Sequence, residues 1–203
     1  PHRTYRRNRV GQLSAEVSMT IYINPALASN GTGDYGNPRN TWDGISWNAG
    51  ETYLQKAGTT FSGASIQPTA DNVTLGAYDV SSSAPYAKIN GDGVTRPIAV
   101  GSIAGLTVQD IEVWGGTGNG IIASPASSPK STGLTLQRLY VHDTLPRVDA
   151  NDSTAIALFS NAPVLRNLRI ERVQDDAIWI NSDVGGPLIE KCYIRDVGLR
   201  ADR

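Results

Sequence analysis

The sequence predicts an all-β chain wound as a right-handed parallel β-helix, a solenoid that is incomplete or capped by a partner. Three observations carry this. A degenerate segment recurs through the second half: Leu106-Thr-Val-Gln-Asp-Ile111-Glu-Val113, Leu134-Thr-Leu-Gln-Arg-Leu139-Tyr-Val141, Leu165-Arg-Asn-Leu168-Arg-Ile170 and Leu188-Ile-Glu-Lys-Cys192-Tyr-Ile194. Aligned on Ile111, Leu139, Leu168 and Cys192, the copies are 28, 29 and 24 residues apart, a period typical of stacked repeats. Within each copy apolar residues alternate with polar ones, the two-residue rhythm of a half-buried strand. Between copies lie Gly115–Gly120, Ser124–Pro129 and Asn181–Pro187, clusters of Gly, Asn, Ser, Asp and Pro that read as turns.

Each element follows from that pattern. After every turn comes a second short apolar run, Gly120–Ala123, Ala155–Leu158 and Ala177–Ile180, giving two or three strands per turn. A leucine-rich repeat has a similar period but needs a helical or Asn/Leu-spaced segment in each unit, and none is visible. With 21 Gly and 11 Pro among 203 residues and only 18% charged, the composition fits many turns and few amphipathic helices. The chain divides into an extension over 1–18, disordered or not native to the fold, an opening strand and capping region over 19–60, and coils over 61–203. Met19, the one methionine, directly precedes the strand-like Ile21–Asn24 and marks an expected natural start. Beyond Val197 no capping helix follows, so the chain is expected to be a fragment or to be closed by a partner.

Several functions are disfavoured. A net charge of -1 gives no electrostatic case for nucleic acid or an anionic membrane, despite the basic cluster over Arg3–Arg9. No apolar run is long enough for a transmembrane helix. Two histidines far apart and one cysteine make no metal site, and no cofactor is expected. Cys192 reads as a small inward-facing core residue.

The opening half carries a family resemblance. Ile21-Tyr-Ile-Asn-Pro-Ala, Gly31-Thr-Gly-Asp-Tyr-Gly36, Asn40-Thr-Trp42, Asn48-Ala-Gly-Glu-Thr-Tyr-Leu54, Gly58-Thr-Thr-Phe61 and Leu75-Gly-Ala-Tyr78 resemble the opening region of pectate-lyase-like parallel β-helix proteins. That superfamily includes phage tailspikes and bacterial polysaccharide lyases and hydrolases. The resemblance implies a polysaccharide ligand and a homotrimer or other virion subunits as partners. The implied location is a virion, or the extracellular space for a secreted enzyme.

Candidate site residues follow from the pleat. Residues between the inward positions point outward and stack from turn to turn in two columns: Glu112, Tyr140, Arg169, Tyr193 and Trp114, His142, Glu171, Arg195. Such a strip offers aromatic faces and bidentate donors to a sugar chain. Gln174-Asp175-Asp176 resembles the Gln-Asp-Asp segment of polygalacturonase-type hydrolases, which makes Asp175 and Asp176 the expected catalytic acid and base. Thr154 stands where that family has a further Asp, with Asp152 two residues away, and an Asp-Asp pair also suits a plain turn. Tyr140 and His142, two apart on one strand, form an alternative acid–base pair for a lyase, with Arg169 or Arg195 neutralising a uronate. Three functions remain open: a virion spike or fibre that binds a host polysaccharide, with or without cleaving it, a secreted lyase or hydrolase, and a non-catalytic rigid spacer.

Overall fold

A computed structural model describes residues 4–7, 13–16, 18–123, 131–145, 153–181 and 185–199. All regular structure among them is strand. β1 (Thr4–Arg7) and β2 (Leu13–Glu16) form an antiparallel pair. Every other named pairing is parallel, and the remaining strands fall into three sheets.

The largest sheet orders β3 (Thr20–Ile23), β4 (Thr52–Lys56), β6 (Thr74–Tyr78), β9 (Thr107–Gln109), β12 (Thr135–Gln137), β15 (Val164–Arg166) and β18 (Leu188–Glu190). A second has six strands: β5 (Thr60–Ser62), β7 (Ala87–Asn90), β10 (Ile111–Trp114), β13 (Tyr140–His142), β16 (Arg169–Val173) and β19 (Tyr193–Val197). The third has four: β8 (Ile98–Val100), β11 (Ile121–Ala123), β14 (Ile156–Leu158) and β17 (Ile178–Ile180). From β7 onward the chain visits the six-, four- and seven-stranded sheets in that fixed order, so each strand pairs with the one three places later. A parallel pair cannot be joined by a tight hairpin, and here the other two sheets supply the crossover.

The repeated segment differs from its expected form. It is not one strand but two, lying in different sheets, with a bend at Asp110, Arg138, Asn167 and Lys191. These residues have φ of 56°, 51°, 52° and 54°, the left-handed conformation. A non-glycine residue there costs about 1–2 kcal/mol. At Arg138 a bidentate pair offsets part of that cost: Nε and Nη2 donate to the two carboxylate oxygens of Asp110 at 2.6 and 2.8 Å. The bend has a counterpart in the sequence. Inward residues run 106, 108 and then 111, 113, a slip of one that moves the chain from one sheet to the next without turning its apolar face outward. A second left-handed corner, two residues before each strand of the largest sheet after β3, aligns Gly50, Asn72, Gly105, Gly133, Ala162 and Gly186. Glycine tolerates that conformation freely, which explains its recurrence at this corner.

The core is the space enclosed by the inward columns. Val108, Leu136 and Leu165 from one sheet meet Ile111, Leu139, Val113, Val141 and Ile170 from another and Ile121 and Ile156 from the third, all without solvent exposure. Two tryptophans pack against side chains of β4. Trp42 Nε1 donates to Gln55 Oε1 at 2.6 Å, while Gln55 Nε2 donates to the carbonyls of Thr59 and Lys88. This buried amide is thus satisfied, as interior polar groups must be. Trp47 packs against Tyr53, whose phenol is pushed up to about 12 by burial. At the other end Leu188, Ile189 and Ile194 are exposed, and Cys192 is half-buried against the core.

Candidate functional site

Two outward surfaces compete for a functional role. The first lies on the six-stranded sheet and holds the two columns expected from the sequence. Strand register aligns Glu112, Tyr140, Arg169 and Tyr193, and beside them Trp114, His142, Glu171 and Arg195. Their side chains, however, bind one another. Glu171 receives Arg169 Nε at 2.8 Å, Arg195 Nε at 3.0 Å, Arg172 Nη1 at 3.1 Å and the Tyr140 hydroxyl at 3.0 Å. The Arg169 guanidinium also lies over the Tyr140 ring, 4.6 Å from its centre.

The expectation that Glu171 and His142 face solvent needs correction. Glu171 has no exposed area and His142 is 9% exposed. The reason is a thin cover: Arg169 and Arg172 on the same strand and Arg195 on the next fold their long side chains across the carboxylate they neutralise. His142 is held on every side. Its Nδ1 is 2.5 Å from Asp143 Oδ2, its Nε2 is 3.0 Å from Glu112 Oε1, and its ring stacks between Tyr140 and Trp114.

Two members of this network, Asp143 and Arg172, escaped the sequence reading. Arg172 donates from Nε and Nη2 to Asp143 at 2.6 and 2.7 Å. Both occupy left-handed corner positions (φ 49° and 52°) aligned with Gly115 and Asp196. The available signal was their opposite charge at the same repeat position. Arg169, ahead of the other donors, holds the Glu171 carboxyl down to about 2, and Arg172 does the same to Asp143. The hydrogen bond from His142 lowers Glu112. This face is therefore a closed set of ion pairs in which each acid–base candidate already has a partner.

The second surface is a groove over the four-stranded sheet. Its floor is one register column, Ala99, Ile122, Ala157 and Trp179. Two alanines leave a depression where larger side chains would make a flat face. One cavity of about 490 Å³ is lined by Ser65, Gln67, Thr95, Arg96, Ala99 and Ile122 among others. A second, of about 240 Å³, adjoins it at Arg96 and Ile122 and is bounded by Asn119, Thr154, Phe159, Asp176 and Trp179.

The groove is less saturated than the charged face. Trp179 is 40% exposed and meets Phe159 edge-on at 4.9 Å, which fixes its ring as a wall. Arg96 Nε is shut off from solvent without a hydrogen-bond partner. Asp176 is exposed and lines the groove, while its carbonyl accepts from Ala155 N at 2.9 Å and so anchors the turn to β14. Asp175 is not among the described lining residues, and its carbonyl accepts from Gly198 N at 3.0 Å. Of the expected catalytic pair, Asp176 is among the described lining residues of the groove. Thr154 lies in the lining, and Asp152 falls outside the described residues.

Arg96, Ile122, Phe159 and Asn119 were also missed from sequence. The outward members of the second strand column were readable from alternation, since Ile122, Ala157 and Trp179 occupy the middle of each apolar run. The loop residues gave no local signal. Among the described residues no three His, Cys, Asp or Glu side chains converge as a metal site. In comparisons with family profiles, with curated proteins and with solved structures, nothing matches this chain.

Proposed function

We propose that the three parallel sheets wind as a right-handed parallel β-helix, and that this helix belongs to a virion-associated spike or fibre that binds a host surface polysaccharide along the groove. The observation that carries the binding reading is the groove's combination of an exposed tryptophan wall with a buried arginine Nε that has no internal acceptor. Sugar rings present apolar C–H faces to aromatic side chains and hydroxyls to polar ones, so Trp179 with Asn119, Thr154 and Asp176 forms a chemically suitable wall. The four strands span about 14 Å, which gives a polymer an extended track. Self-association, as a trimer, would supply the avidity that a shallow site needs.

Asp176 supports a second reading, that of a glycoside hydrolase. An inverting enzyme needs two carboxyl groups roughly 6.5–9.5 Å apart. Among the described residues lining the groove, Asp176 is the one carboxylate. Binding without turnover is therefore the better reading.

The test is co-sedimentation of the protein with a panel of bacterial surface polysaccharides, followed by assays for reducing ends and for unsaturated products. Saturable binding that is lost in Trp179→Ala supports the groove, whereas binding indifferent to that change contradicts it. Release of reducing ends that stops in Asp176→Asn would promote the hydrolase reading.

A further inference from the structure

Arg96 is the least explained charge in the groove. It lines both cavities, yet its buried Nε donates to nothing. None of the ion pairs among the described residues includes it, in contrast to the arginines of the six-stranded sheet, which all point into carboxylates. A guanidinium N–H removed from water without an acceptor is unfavourable, and such a group is satisfied most simply by a ligand anion.

The loop that carries Arg96 is held in place. Pro97 follows it and restricts it to extended backbone. The Pro97 ring sits against Gly91 and Gly116, where a Cβ at Gly116 would come within 2.8 Å of Pro97 Cδ. Thr117 N donates to the Val94 carbonyl at 3.1 Å, and Gly91 N to the Trp114 carbonyl at 2.7 Å. Ser65 Oγ donates to the Arg96 carbonyl at 2.5 Å. Five anchors from three loops therefore fix the backbone from which the guanidinium projects, the preorganisation that a binding group needs.

The two cavities differ in charge. The larger one contains Ser65, Gln67, Thr95 and Arg96 and no carboxylate among its described lining residues. The smaller contains Asp176 beside Trp179. We propose that the groove selects an acidic polysaccharide, docking a carboxylate of one sugar on Arg96 in the larger cavity while a neighbouring uncharged sugar stacks on Trp179. Asp176 then repels a second acidic unit at the stacking position, so a polymer with spaced charges fits better than a uniformly charged one. This rests on the glycan-binding reading above, which it narrows to a substrate class.

The experiment titrates the full chain with two probes, hyaluronan, in which acidic and neutral sugars alternate, and alginate, in which every sugar is acidic. Each is used before and after carbodiimide-mediated reduction of its carboxylates to alcohols. The wild-type chain is expected to bind intact hyaluronan most tightly and to lose affinity when the carboxylates are reduced. Arg96→Gln should weaken intact hyaluronan about tenfold, one charge-assisted contact, and leave the reduced polymer unaffected. Arg96→Lys keeps the charge without the fork and should fall between them, which separates a lost anchor from a misfolded loop. Trp179→Ala should weaken both forms. Arg96→Gln that binds intact hyaluronan like wild type, while Trp179→Ala does not, would overturn the anion anchor and leave the groove standing. A wild-type chain that binds none of the four polymers would overturn both.

Discussion

The six-stranded and four-stranded sheets carry outward columns of similar construction and opposite character. On the first, Glu171 lies beneath Arg169, Arg172 and Arg195, and His142 spans Glu112 and Asp143. On the second, Ala99 and Ala157 leave space, Arg96 faces it with no ion pair among the described residues, and Trp179 exposes its ring. A dense set of chemically capable side chains is therefore not by itself a site. Groups whose bonding capacity is used up inside the protein stabilise the fold, and recognition belongs to groups that still lack a partner.

The largest effect is expected on stability. Glu171→Ala leaves three guanidinium groups crowded around a vacated position, since removing one partner of a covered ion pair strands the others. Its unfolding midpoint should drop well below that of Asp176→Ala, an exposed change on the groove that should cost little. Equal midpoints in thermal or urea unfolding would erase the distinction.

Acid should act on the same face. Glu171 and Asp143 titrate near 2 in the folded chain, against ordinary values of 4.5 and 3.8. The unfolded chain therefore binds more protons in this interval, and the stability they confer is complete above about 4.5 and fades as pH falls toward 2. Glu171→Gln should flatten that part of the curve in urea titrations run at a series of pH values. A curve unchanged by the substitution would show that the arginine cover contributes nothing.

A smaller expected effect sharpens the contrast from the functional side. His142→Gln and Tyr140→Phe should leave polysaccharide affinity unchanged, because both side chains already bind Glu112, Asp143 or Glu171. Titration of either variant with a polymer that binds the wild type checks this, and a marked loss would return the site to the charged face. Smallest of all, Arg138→Ala removes a half-exposed pair with Asp110 and should cost about 0.5 kcal/mol in chemical unfolding.

The strands and their stacking were legible because an enclosed column tolerates only apolar residues. Ile111, Leu139 and Leu168 align by eye and lie buried in the core cluster. The corners were half-legible: the slip from Val108 to Ile111 is in the sequence, but Asp110, Arg138, Asn167 and Lys191 share a backbone conformation and no side-chain chemistry. The columns on the six-stranded sheet were read in correct register, yet their burial depended on which way long arginine side chains fold, a choice made by carboxylates on the same and on adjacent strands. The groove was the least legible feature. It joins Ser65, Arg96, Asn119 and Asp176 from four separate connections, and their proximity arises from stacking rather than from any local motif.

Amide hydrogen exchange with and without a saturating polysaccharide distinguishes the two faces. Exchange should slow at residues 94–99, 119–122, 154–159 and 176–180, which border the groove, and remain unchanged at 140–143 and 169–172. Protection confined to the latter segments would make the charged face the binding surface.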